Sequence, residues 1–329
     1  MIGPGTQRGS HRRDPDEDER EPASDVTSEG PLRVVDLPRV QEAPLAPPAP
    51  SGGLLEVFRR HYLLRLLVRK EVQARYQGSF LGVLWSYIQP LVRFLMYFLI
   101  LGLILGLRRS VPNYALHIFC ALTVVHFFTE TFGGGTRSIV RNKALVQKMA
   151  MPREMFPVAS VLVSAVNVVP QVLIVVIAAS FSGWRPDVAN IGAAVLSIAI
   201  VTVFGTALAL LFSGMNVFFR DFQNIVATFT IFTRWIVPMI YPFSKVANAL
   251  QDHTAVYYAY LSDPLAVAVI LMQRAFWMPT FETSDQMGYP DVPHHLWLLG
   301  LLALAASFVC LGVCQFAFTK MENKIAERV

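Results

Sequence analysis

Six long stretches of this chain carry almost no charge, at about 81–106, 114–137, 155–181, 189–213, 222–243 and 296–318. Each matches or exceeds the roughly 20 apolar residues that a helix needs to cross about 30 Å of hydrocarbon. A water-soluble core is built instead from shorter amphipathic runs broken by charge. Bilayer interior offers no partner to a free peptide group, so such stretches must satisfy their own backbone as helices. The expected fold class is therefore an all-α integral membrane protein with six transmembrane helices. Composition agrees, since 54% of the 329 residues are hydrophobic and only 16% charged, a balance displaced from that of soluble domains.

Two segments precede the first stretch. Residues 1–53 are rich in Pro, Ser, Arg and acids, with the run Asp16-Glu17-Asp18-Glu19 and prolines at 44, 47, 48 and 50. Such a segment buries too little apolar surface to offset its ordering entropy, and reads as a disordered cytoplasmic tail. It has no apolar h-region of a secretory signal. Residues 54–76 differ. Leu54, Leu55, Phe58, Tyr62, Leu66 and Val72 recur at helical spacing, with Arg59, Arg60, Arg65, Arg69, Lys70 and Arg75 interleaved. That pattern fits an amphipathic interface helix on the membrane surface, its basic side toward anionic lipid headgroups. A soluble helix packed on a partner is the alternative. The domains expected are thus the tail, this helix, and a membrane domain over 77–329.

Basic residues set the orientation. Those of the interface helix, of the 137–153 loop, Arg220, Lys320, Lys324 and Arg328 gather on one side of the six spans. The positive-inside bias makes that side cytoplasmic and both termini cytoplasmic, in the cell's inner membrane. Arg108 and Arg109 oppose it locally. The net charge of +5 is accounted for by topology, so no nucleic-acid partner is expected. On the outer side only 244–295 is long. Within it Asp263-Pro264 reads as an N-cap with proline at the first helical position. The helix that follows is short and interrupted by Gln273, Arg274 and Pro279. A re-entrant helix or helix pair is expected there, because a seventh span would put the basic C-terminus outside.

Little here suggests catalysis. Cys120, Cys310 and Cys314 all lie in apolar stretches and read as small packing residues. His294-His295 is a lone pair, so no metal site is expected. The chain lacks a Gly-x-x-x-x-Gly-Lys-Ser/Thr loop; Gly133-Gly134-Gly135 reads as a close-packing or flexing point of span two. Charge inside the membrane is costly and usually faces protein or a water-filled path. Arg93, Glu130 and Arg234 are of that kind. Either the arginines line the path and meet a pyrophosphate through their planar forks, or one pairs with Glu130, or they snorkel. Trp85, Tyr87, Tyr97, Phe127, Phe128, Phe132, Trp235 and Tyr241 stack on sugar rings or pack, and Trp184, Trp277 and Trp297 suit an interfacial belt.

The loop between spans two and three is the most informative: Arg141-Asn142-Lys143-Ala144-Leu145-Val146-Gln147-Lys148-Met149-Ala150-Met151-Pro152-Arg153. It is short, basic and helix-permissive. Held between two spans, a helix here would transmit a push into the membrane. The run NKALVQKMAMPREMFPVAS resembles the coupling segment of ABC-2 type permeases that export polysaccharides. LGVLWSYIQPL at 81–91 is similar to that family's opening of its first span. Phe219-Arg220-Asp221 resembles the motif before span five, and Val237-Pro238-Met239-Ile240-Tyr241-Pro242 the motif ending it. Asp263-Pro264 with Arg274 looks like the outer gate. The likeness covers about 54–329.

The resemblance implies a homodimer of six-span copies with an interface helix and re-entrant outer gate helices. It implies a separate ABC ATPase subunit that carries ATP and Mg, no cofactor on this chain, and a polyprenyl-linked glycan as cargo. The long Pro-rich tail and the abundance of Ala, Val and Arg suggest a high-GC actinobacterial source, and for such a source the resemblance, not any residue, makes cell-wall galactan one candidate. Arg153 and Lys148 are the candidate polar contacts with the ATPase. The family does not supply a role for Arg93 or Arg234, which replace expected apolar residues. Teichoic-acid-like polymers, lipids and drugs are alternative cargoes. A membrane glycosyltransferase would need an acidic cluster in the membrane-embedded part, and a proton-coupled carrier would need paired intramembrane acids or inverted repeats.

Overall fold

A computed structural model describes residues 53–149, 151–280, 292–293 and 295–328. The expected tail over 1–53, apart from Gly53, and Ala150 of the coupling loop and His294 lie outside the described residues. Twelve α-helices make up the described chain. They are α1 (Gly53–Arg59), α2 (His61–Tyr76), α3 (Trp85–Tyr97), α4 (Tyr114–Arg141), α5 (Lys143–Lys148) and α6 (Met155–Phe181), followed by α7 (Val188–Phe218), α8 (Phe222–Ile236), α9 (Phe243–Leu250), α10 (Thr254–Leu261), α11 (Pro264–Phe276) and α12 (Leu296–Arg328). The protein is thus an all-α membrane protein, as its apolar stretches require.

Among the described residues, five helical stretches are long and apolar enough to cross a bilayer: 82–104, 114–141, 155–181, 188–218 and 296–322. The first begins with a 3₁₀ turn, continues as α3 and ends in a π-helical stretch over Phe98–Ile104. Gly102 in that stretch faces the Tyr114 ring, where a Cβ would sit 3.1 Å from it. Span five differs from expectation. Its helix, α8, has 15 residues, about 22 Å of rise and short of the hydrocarbon thickness. The Val-Pro-Met-Ile-Tyr-Pro motif breaks it, since Pro238 cannot continue a hydrogen-bonded ladder.

The broken backbone is satisfied by its neighbours, the condition on which irregular chain is tolerated at membrane depth. Tyr241 folds back so that its hydroxyl lies 2.8 Å from both the Trp235 and the Ile236 carbonyl and shares its one proton between them. Gln273 of α11 donates to the Pro238 carbonyl at 2.8 Å, and Tyr114 of α4 to that of Ile240 at 3.1 Å. Gln273, which looked like an interruption of an apolar helix, is there to satisfy span five.

α4 is the central helix. Of its apolar stretch 78% is buried, against 17% for the first spanning helix and 22% for the last. It meets α7 through small residues. A Cβ on Gly135 would fall 2.3 Å from the Cβ of Ala209, and one on Gly205 2.7 Å from Thr131. Thr131-x-x-x-Gly135 on one helix therefore faces Gly205-x-x-x-Ala209 on the other, the small-residue pattern that brings membrane helices together. Gly134 likewise makes room for Ser160 of α6, at 2.9 Å. The glycine triplet is thus a close-packing point.

Candidate functional site

The end of the bundle that carries the basic residues is where the coupling loop and the interface helix meet. The interface helix is not the single rod expected over 54–76. It breaks at Arg60 into α1 and α2. Val57, Leu64 and Leu67 are buried against Ile139 of α4, Met155, Phe156 and Ala159 of α6, and Phe318 and Ile325 of α12. A second apolar row, Leu55, Phe58, Tyr62 and Leu66, stays exposed, with Arg59, Arg65 and Arg69 exposed beside it. One row fixed to protein and one left open next to basic side chains suits a helix lying along lipid headgroups.

α4 ends at Arg141, and the coupling segment turns at Asn142 into α5. Glu71, from the interface helix, holds this corner. Its carboxylate pairs with Arg141 Nη2 at 2.6 Å and accepts from Asn142 Nδ2 at 2.9 Å. Asn142 also donates to the Ser138 carbonyl at 3.0 Å. Lys143 and Lys148 are exposed, whereas Leu145, Val146 and Met151 pack toward the cluster under α2. Pro152 is buried and Arg153 is half-buried. Its Nη1 donates to the Glu322 carbonyl at 2.5 Å, which ties the start of α6 to α12. Of the two basic residues first singled out, Lys148 is the more exposed.

Deeper in the bundle the tip of α2 makes a second anchor. Arg75 pairs with Glu130 of α4. Glu130 lies 11 residues from the end of its helix, about 16 Å along the axis. The same carboxylate accepts from Asn167 Nδ2 of α6 at 2.9 Å, and His126 Nδ1 lies 3.8 Å from it. Tyr76, next to Arg75, is hydrogen-bonded to Ser86 and donates to Asn167 Oδ1 at 3.2 Å. Of the alternatives open for Arg93 and Arg234, a pair with Glu130 is not seen, and a residue of the interface helix takes that place. The reason is reach: Tyr76 is bonded to Asn167 of α6, which holds the end of α2, and with it the long cation of Arg75, at the carboxylate.

Arg93 and Arg234 are half-buried and make no ion pair among the described residues. Arg93 lies within electrostatic reach of Arg234, Glu130, Tyr97 and Arg75. Two clefts adjoin at the Arg75–Glu130 pair. One, of about 510 Å³, is lined by Lys70, Glu71, Arg137 and Arg141 among others. The other, of about 220 Å³, is lined by Trp85, Gln89, His126 and Gln171 among others.

At the opposite end, Asp263 caps α11 by accepting from the Leu265 amide at 3.0 Å, with Pro264 as the first helical residue. α10 and α11 are bent by 74° at this point. A bend that sharp suits the expected re-entrant pair. α11 is the least exposed helix segment of the bundle, with Leu265 to Met272 at 2% or below. Arg274, after that run, is half-buried. Trp277 is 1% exposed and donates to the Pro112 carbonyl at 2.7 Å, so it is a core residue and not part of an interfacial belt. Trp297, at the start of α12, is 45% exposed.

Sequence reasoning missed Glu71, Tyr76, His126, Asn167 and Gln171. Some signal was present. His126/Glu130 and Asn167/Gln171 are polar pairs at i, i+4 spacing within apolar spans, and Glu71 is an acid within a basic helix. Spacing alone could not say that α2 meets both.

Comparison with known proteins takes these elements as a set. The model of the ABC-2 type transporter family matches residues 62–262, from the interface helix to the bend before α11. The O-antigen export system permease protein RfbA of Myxococcus xanthus is 27% identical over 276 residues, which cover 83% of this chain and 98% of that protein. Two proteins of the same description from Klebsiella pneumoniae are 26% identical over 180 residues, 54% of this chain and 68% of theirs.

Proposed function

This chain belongs to the ABC-2 type transporter family, and from that premise we propose that it is the permease subunit of an ATP-driven exporter of polysaccharide across the cytoplasmic membrane. The observation that carries the reading is the match to an O-antigen export permease over 98% of that protein's length. The corner built by Glu71 supports it physically. α5 projects exposed lysines away from the bundle, and its root is bonded to the interface helix.

In this reading two copies of the chain stand on a pair of separate ABC ATPase subunits, which bind ATP and Mg. Binding of ATP closes the ATPase pair and displaces α5. Glu71 passes that displacement to α2, and Arg75 carries it to Glu130 in the middle of α4. The path lies between copies, against the exposed apolar sides of α3 and α8, with Trp85, Tyr97 and Trp235 as sugar-facing rings. Arg93 and Arg234 have no ion-pair partner among the described residues and suit the pyrophosphate of a polyprenyl-linked glycan. The cargo leaves past the α10–α11 bend. Cell-wall galactan is the cargo we favour. The basic end faces the cytoplasm, with both termini.

Depletion of the chain tests the reading. Polyprenyl-linked glycan is expected to accumulate on the inner leaflet while surface polysaccharide falls. Unchanged surface polysaccharide would reject it. Reversal of the exposed coupling charges, Lys143→Glu with Lys148→Glu, should weaken co-purification with the ATPase subunit while leaving the folded permease in the membrane.

A further inference from the structure

The smaller of the two clefts, about 220 Å³, lies under the tip of α2 between α3, α4 and α6. Its wall is unusual for the inside of a membrane bundle, because almost every side chain on it can form hydrogen bonds. The anchoring of α2 explains part of this, since it uses Arg75, Tyr76, Ser86, Asn167 and Glu130. It leaves Gln89, His126 and Gln171 unexplained. Gln171 is 2% exposed, and its Oε1 has no hydrogen-bond partner. Its Nε2 has only a 3.4 Å bond to the Asn167 carbonyl of its own helix. His126 Nδ1 is likewise buried without a hydrogen bond. A buried polar atom left unpaired is destabilising, and a leucine at 171 would avoid that cost.

We propose that this pocket is a subsite for a single sugar ring of the cargo, an inference that rests on the polysaccharide-export reading. A pyranose presents an apolar C–H face and a rim of hydroxyls. The indole of Trp85, 42% exposed at the pocket, offers a flat surface to the face. Gln89, Gln171, His126 and the Glu130 carboxylate offer donors and acceptors to the rim. The pocket's charge is balanced, because Arg75 and Glu130 neutralise each other, and this favours a neutral sugar over a phosphate. Its volume is a little below the roughly 300–1,000 Å³ of pockets for drug-sized ligands, so it suits one ring and not a chain. The adjoining cleft leads from this pocket toward Arg137 and Arg141, at the end where cargo is loaded.

The full-length chain in lipid nanodiscs can be tested by saturation-transfer NMR with the methyl glycosides of glucose, galactose, mannose, rhamnose and N-acetylglucosamine. At least one should show transfer to its ring protons, reduced more than 10-fold in Gln171→Leu and in Trp85→Ala. Gln171→Leu removes a buried, unpaired amide oxygen at the loss of one long bond within its own helix, so it should melt no earlier than the wild type. A separate Gln89→Ala variant should also weaken transfer. If none of the five gives a signal that Gln171→Leu reduces, the pocket holds water only and the proposal is overturned. The export reading fails independently: a chain that binds glycosides through Gln171, yet whose depletion leaves surface polysaccharide unchanged, would keep the sugar site and lose the transporter assignment.

Discussion

Glu71 makes the polar link between the coupling corner and the interface helix, through Arg141 and Asn142. Its partner Arg141 is about half exposed but the Glu71 side chain only 9%, so the ion pair is partly screened and adds on the order of 1 kcal/mol to stability. In the proposed mechanism its larger value is mechanical. Glu71→Ala should lower the melting temperature of the purified permease only modestly. In the assembled transporter the same change should lower export several-fold while ATP hydrolysis continues. Glu71→Gln, which keeps a bond to Asn142, should fall between. Equal losses of export and hydrolysis would assign Glu71 to ATPase docking. Gln273 makes the opposite kind of contribution. Gln273→Leu strands the buried Pro238 carbonyl and should cost about 1–3 kcal/mol, read as earlier thermal unfolding in detergent.

Among the elements, α4 and α7 depend on contact without side chains. Ala209 occupies the space in which Gly135 would place a Cβ, and both atoms belong to helix backbones or their first carbons. Neither can rotate away. Gly135→Val therefore forces the helices apart, at a cost of roughly 1–3 kcal/mol or more for overpacking, and should reduce the yield of folded protein. Gly133→Ala is the control, since a Cβ there meets only the guanidinium of Arg137, at 3.7 Å. It should be tolerated, because that side chain is long and exposed. The interface helix illustrates the same dependence on context. Its sequence shows basic and apolar residues interleaved all round, and which apolar row turns inward was decided by the floor of α6 and α12 beneath it.

For the molecule as a whole, sidedness is the property most open to measurement. The native cysteines are buried or half-buried, which leaves the surface clear for introduced thiols. Lys148→Cys should resist an impermeant maleimide in intact cells and react after lysis. Val188→Cys, at the opposite end of the bundle and 86% exposed, should react in intact cells. The reverse result would invert the topology and remove α5 from the reach of any cytoplasmic ATPase.

The sequence by itself determined the class of solution. Apolar stretches of membrane length leave helices as the only way to satisfy the backbone, and Asp263-Pro264 and the glycine triplet wrote a helix start and a close contact in local terms. Tertiary structure decided which distant groups meet. That Glu130 pairs with Arg75 and not with Arg93, that Gln273 serves a carbonyl 35 residues away, and that Arg153 is spent on α12 all depend on how the helices are tilted and rotated. Periodicity records which side of a helix is polar. It carries no information on the neighbour that side will face, because that is fixed only when all the helices pack at once.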